Sequence, residues 1–425
     1  MIAEDVDVSR RAAAGERGRA VRASRTAMAA LGAILAVLSG CMSASENSGA
    51  AEHAGHESSS ATTSTPLASP PPPPPPPAVA NQLPGMPPVS DASNVYSDAG
   101  AGMLSAPAQA ARPLVYVPHN SGDVWVIDPA TFQVVDKFPA GREVQHVVPS
   151  WDMQTLYATD DIGNTITPID PVTGDHSARI PVDDPYNMYF TPDGAAAISV
   201  AEARRQLVFY DPHTWQEQSR LDLPDCAGVD HADFTPDGRT AVFSCEFAGR
   251  VAVVDVPSRT VVRMIDMPVR HTHMGPQDVK LAPDGSRFYV ADSDQGSVWV
   301  LDGAATQVIG ELPTGPGAHG LYLSRDAGQM YVTNRRDDSI SVLDARTGAP
   351  ITKWTLPGPS SPDMGGVTAD GSQLWLSGRY NSEVYVISTA DGSLIARIAV
   401  AKGPHGLCVW PQPGRYSLGH TGVTR

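Results

Sequence analysis

The sequence predicts an all-β fold, a seven-bladed β-propeller of four-stranded blades whose ring is closed by the C-terminal inner strand. Three observations carry that reading. One segment type recurs seven times with spacings of 41, 42, 43, 47, 42 and 44 residues, a period in the range of propeller blades. Within each unit, short runs rich in Val, Ile and Tyr are bounded by turn residues, as strands are. The 38 Gly and 39 Pro suit a strand-and-turn protein, because both residues punctuate turns and disrupt helices.

Three regions precede or make up this fold. Residues 1–40 read as a lipoprotein signal peptide. Arg10, Arg11, Arg17, Arg19, Arg22 and Arg25 form a basic leader, and residues 26–38 form an apolar core too short to span a bilayer. Leu38-Ser39-Gly40-Cys41 follows and resembles the bacterial lipobox, which makes Cys41 the expected lipidation site and implies a membrane-anchored protein of the cell envelope. Residues 41–112 are rich in Ser, Ala, Gly and Pro and read as a disordered tether, stiffened by the polyproline run Pro70–Pro77. Residues 113–425 are the propeller with a short C-terminal tail.

The repeats begin at Val115, Leu156, Ile198, Ala241, Phe288, Met330 and Leu374. No unit can bury its own sheet faces, so neighbours must stack. Inner strands end in Pro192-Asp193-Gly194, Pro236-Asp237-Gly238 and Pro283-Asp284-Gly285, tight turns in which Gly accepts positive φ. Third strands end in Asp128, Asp170, Asp211, Asp255, Asp302 and Asp344, placed to bond the following turn. The repeats start on a second strand, and the chain supplies a last inner strand at His405–Trp410, so that strand is expected to complete the first blade and remove free sheet edges.

Tyr331-Val332-Thr333-Asn334 and the recurring V-x-V-I-D strand resemble the YVTN-repeat, or YncE-like, family of β-propellers over residues 113–411. The resemblance implies the fold and leaves function open, since such scaffolds host binding proteins and enzymes alike.

The first residues of the inner strands converge on one channel mouth. Aligned on their terminal turns, these are Gln145-His146, Tyr186-Asn187, Asp230-His231, Gln277-Asp278, His319-Gly320, Asp363-Met364 and His405-Gly406. His146, His231, His319 and His405 come from four repeats, and Asp230, Asp278 and Asp363 add carboxylates, a set suited to a divalent metal. The longest repeat carries its extra residues before such a strand and adds His271 and His273. His146 and His231 fall one residue later in register than His319 and His405, so strict alternation of side chains argues against all four facing one point.

Four cysteines without a C-x-x-C pair signal neither a zinc ribbon nor a redox dithiol. Cys226 and Cys245 flank the hairpin of Pro236-Asp237-Gly238 and are expected to form a disulfide after export. Cys408 is expected as a buried thiol. A formal net charge of −16 argues against a nucleic-acid partner. The sequence supports a membrane-anchored binding or interaction module, with a protein or small-molecule ligand at the channel mouth. The alternative is a propeller enzyme, lactonase-like or with a metal or haem cofactor, that uses the same His and Asp residues.

Overall fold

A computed structural model describes residues 79–425. The basic leader, Cys41 and Pro70–Pro77 lie outside the described residues. Seven antiparallel sheets of at least four strands follow one another along the chain. Blades 2 to 7 have inner strands Val144–Pro149, Pro185–Phe190, Val229–Phe234, Pro276–Leu281, Ala318–Leu323 and Pro362–Val367. Blade 1 consists of Leu114–Pro118, Asp123–Asp128 and Gln133–Pro139, and Cys408–Trp410 supplies its inner strand. Tyr116 pairs with Cys408 and Leu114 with Trp410, so the ring closes as the repeat count requires.

Burial follows from the stacking of blades. Second strands such as Leu114–Pro118 are buried at every residue, whereas the outer strand Gln133–Pro139 is mostly exposed. Val115, Val117, Trp375, Val384 and Val386 fill the space between blades 7 and 1. Each fully buried side chain of this size contributes ~1.5–3 kcal/mol relative to exposure. The third-strand aspartates accept bonds from the turn that follows, as Asp128 does from the Ala130 N–H and Asp344 from the Arg346 N–H. Cys226 and Cys245 form a disulfide with Cα atoms 4.8 Å apart, and Cys408 is a buried free thiol.

Two segments depart from the sequence reading. Residues 79–112 do not behave as an unstructured tether. Leu83, Met86, Val95, Tyr96 and Ala108 are buried, and the Leu83 and Val95 N–H groups donate to Asp237 O and Pro283 O in the inner-strand turns. Isolated apolar residues among Pro and Ser have no periodicity of their own, and they find partners only on the finished propeller. The tail is the second departure. Ser417–Gly419 and Val423–Thr424 form a hairpin that enters the channel and extends blade 3 to six strands. Tyr416 stacks on Trp151, and the Arg425 guanidinium is paired with Asp233 at 2.6 Å in the buried interior.

Candidate metal centre in the channel

Every inner strand of blades 2 to 7 is irregular at its start. The ladder shifts register between Val144 and Val147, between Val229 and Ala232, and at the matching places in blades 5, 6 and 7, and in blade 3 between Pro185 and Asn187. A bulge sets two consecutive residues against one partner and breaks strict alternation. Second-strand hydroxyls stabilise it. Thr159, Ser244, Thr333 and Ser377 accept from the N–H of His146, His231, Gly320 and Met364.

The bulge relaxes alternation, yet the two registers still fall into separate groups of donor atoms. His146 and His231 project from the third residue of their strands, His319 and Asp363 from the second, and both pairs line the same channel. Ring centroids lie 5.6 Å apart for His146 and His231, 4.8 Å for His146 and His405, and 6.0 Å for His231 and His319. The residues that follow His319, Asp363 and His405 are small or apolar: Gly320, Met364 and Gly406. A Cβ on Gly406 would lie 2.0 Å from the His146 ring, so glycine there makes room for the imidazole.

A fifth histidine, which the repeat alignment did not find, comes from the tail hairpin. His420 sits 4.7 Å from His231 and 5.5 Å from His146, centroid to centroid. Its backbone N–H donates to Met188 O in the blade 3 inner strand. Gly419 permits the approach, since a Cβ there would lie 2.5 Å from Met188 O. The only sequence signal is a histidine in the glycine-rich run Gly419-His420-Thr421-Gly422, outside every repeat.

Two buried groups result. Donor atoms of His146, His231 and His420 lie within 4.8 Å of one another, as do those of His319, Asp363 and His405. Burial holds His146, His319, His405 and His420 well below the ordinary imidazole range, so these rings are neutral at pH 7 and each offers a lone pair. Burial also opposes charge on His231, but Asp230, Asp278 and Glu246 outweigh it and raise that ring's pKa. His231 Nε2 lies 3.0 Å from Asp230 Oδ1. Among the described residues, Nε2 of His146 and of His420 has no hydrogen-bond partner.

The two groups differ in electrostatic setting. Asp363 lies 3.1 Å from His319 Nδ1, and Arg335 approaches the same carboxylate oxygen to 3.4 Å. Arg379 also faces Asp363, which keeps it charged despite burial. The opposite side of the mouth is acidic. Burial and then neighbouring acids raise Glu246 to about 8 and Asp161 to about 7, and push Glu202 well above the carboxylate range.

The remaining expected residues lie elsewhere. Asp278 accepts the N–H groups of Val279 and Leu321 and ties blade 5 to blade 6, so it contributes field and no donor atom. His271 bonds Gln295, and His273 is exposed, 4.0 Å from Asp294. The inserted loop thus lies outside the cluster. Gly275 N–H and the Arg270 guanidinium tie it to Glu246 O and Ala248 O at the end of blade 4's second strand.

The fold and this ring of polar inner-strand residues define a seven-bladed propeller with a histidine-lined channel. Residues 271–413 match the YNCE-like beta-propeller family. A protein named YncE from Salmonella typhimurium is 21% identical over 284 residues, 62% of this chain and 76% of that protein. Among solved structures, Kuenenia stuttgartiensis hydrazine synthase superposes with a TM-score of 0.55 at 18% identity, covering 62% of this chain and 88% of that one. The dihydro-heme d1 dehydrogenase NirN gives 0.54 at 16% identity, covering 73% and 77%. At these identities the structures share the fold alone. The chain is a seven-bladed β-propeller, and its residues 271–413 are similar to the YNCE-like family.

Proposed function

We propose that the propeller is a binding module that holds a transition-metal ion in its channel on His146, His231 and His420. One observation carries the reading: three buried imidazoles from two blades and the tail hairpin bring donor atoms within 4.8 Å of one another. A tetrahedral ion with 2.0–2.1 Å bonds sets its donors about 3.3 Å apart, so binding requires the rings to close by up to about 1.5 Å. Charge favours this group over its neighbour. The Asp230 carboxylate lies 3.0 Å from His231, whereas Arg335 and Arg379 already oppose Asp363. All-nitrogen ligation suits zinc or copper.

In this reading the lipobox at Cys41 anchors the module in the cell envelope, which places the channel where extracytoplasmic metal is met. The test is metal analysis and calorimetric titration of the full chain after chelation and dialysis. The expected result is one tightly bound zinc or copper ion per chain, lost when His231→Ala and His420→Ala are combined. Absence of binding, or binding unchanged in that double variant, overturns the proposal.

A further inference from the structure

Asn187 occupies the third position of the blade 3 inner strand, the place held by His146 in blade 2 and His231 in blade 4. It is fully buried. Its Nδ2 lies 3.0 Å from His231 Nδ1 and 2.8 Å from His420 Nδ1. Its Oδ1 accepts the Met188 N–H at 2.8 Å, which fixes the orientation of the amide. An amide nitrogen carries two protons and has no lone pair to offer. Both Nδ1 atoms must therefore act as acceptors. A ring that accepts at Nδ1 is neutral and carries its one N–H on Nε2, and at His231 that N–H faces Asp230 Oδ1 at 3.0 Å.

The neighbouring rings are held the other way. His146 Nδ1 lies 2.8 Å from the Tyr186 carbonyl, which can only accept, and so leaves Nε2 as a bare lone pair. His405 Nδ1 faces Gln145 Oε1 at 3.1 Å, and the Gln145 amide nitrogen is turned toward the carboxylates of Glu143 and Asp161. A metal-bound histidine needs this second arrangement, with its remote N–H donated to an acceptor and its lone pair toward the ion. Asn187 imposes the opposite on two of the three ligands.

We propose that Asn187 is the positioning residue of the channel site, and that its side-chain amide turns over when His231 and His420 ligate through Nε2. Turned over, Oδ1 offers two lone pairs and accepts Nδ1–H from both rings at once, at the cost of the Met188 N–H bond and, when His231 Nε2 takes the ion, of its contact with Asp230. The proton of each ring moves from Nε2 to Nδ1, so the exchange needs no net proton. One amide thereby couples the blade 4 histidine to the histidine of the tail hairpin, and both ligands become competent together. This inference rests on the metal reading above.

Two substitutions and one spectroscopic readout test it on the full chain, with zinc as the probe. Asn187→Asp presents only acceptors and satisfies Met188, His231 and His420 without a choice. Zinc affinity is expected to rise about tenfold or more, the scale on which partners of metal ligands act. Asn187→Leu removes the acceptor, and affinity is expected to fall by a similar factor. Histidine 15N spectra of the zinc-free wild type should show Nε2–H at His231 and His420, and zinc should convert both to Nδ1–H. Nδ1–H in the zinc-free wild type overturns the inference. So does a folded Asn187→Asp that binds zinc no more tightly than the wild type. If His420→Ala loses zinc while both Asn187 variants bind like the wild type, the metal site stands and the role of Asn187 falls. A wild type that binds no zinc overturns both.

Discussion

Glu246 offers the sharpest thermodynamic handle on the channel. Burial, and then the Asp230 carboxylate beside it, raise its pKa to about 8 in the fold, against about 4.5 for the same group in an unfolded chain. A raised carboxyl binds its proton more tightly folded than unfolded. Its contribution is therefore complete below about pH 4.5 and is lost as pH rises toward 8. At 1.36 kcal/mol per unit, the loss reaches ~3 kcal/mol at pH 7. Asp161 and Asp184, raised to about 7 and about 6 by burial, push in the same direction. Glu246→Gln keeps the shape and removes the ionisation. It should leave stability at pH 4 unchanged and add ~3 kcal/mol at pH 7, a rise in Tm on the order of 4 °C. Thermal unfolding of chelator-treated protein between pH 4 and pH 8 is the assay. A wild-type Tm that climbs from pH 5 to pH 8, or a Glu246→Gln variant no more stable than wild type at pH 7, would refute the assignment. Zinc should flatten the wild-type slope, because a cation in the channel compensates the same carboxylates.

Other consequences follow from single contacts. Reduction of Cys226–Cys245, or its replacement by two serines, opens a closed loop of 19 residues and should cost ~3 kcal/mol on the chain-entropy scale, read as a lower denaturant midpoint. Arg425→Ala leaves Asp233 buried without its 2.6 Å ion pair and should destabilise by ~3 kcal/mol, whereas Arg425→Ala with Asp233→Asn should recover part of that loss in a double-mutant cycle. Cys41→Ser should abolish incorporation of labelled lipid in cells and release the protein from the membrane fraction.

The blades were legible because their turns carry the information. Pro-Asp-Gly fixes the end of the inner strand, and Gly194, Gly238 and Gly285 adopt the positive φ that such a turn demands. Once those ends were aligned, the convergence of His146, His231, His319 and His405 followed from topology. The side-chain directions did not. Alternation along a strand is a sound rule until a bulge interrupts it, and the second-strand hydroxyls that hold these bulges read in the sequence as ordinary polar strand residues. Residues 79–112 were misread for a related reason: Tyr96 is one aromatic in a Pro- and Ser-rich stretch, and its hydroxyl finds Asp233, 137 residues away, only in the assembled ring.

The tail hairpin changes what the ring can do. Seven inner strands surround an axis, and each points its unpaired backbone edge at the channel. A hairpin that pairs with one of those edges must break the symmetry, and this one pairs with blade 3 through Gly419 and Tyr189. Its tip is thereby carried to the side of the channel where His146, Asn187 and His231 stand in consecutive blades, opposite the arginines of blades 6 and 7. Four histidines spread over four blades would be a polar lining of the usual propeller kind. The fifth, delivered off-axis, converts part of that lining into a three-nitrogen group on the acidic side of the mouth. The residue that fixes this asymmetry is therefore Gly419: with any side chain there, the hairpin cannot lie against Met188 O, and His420 cannot reach His231.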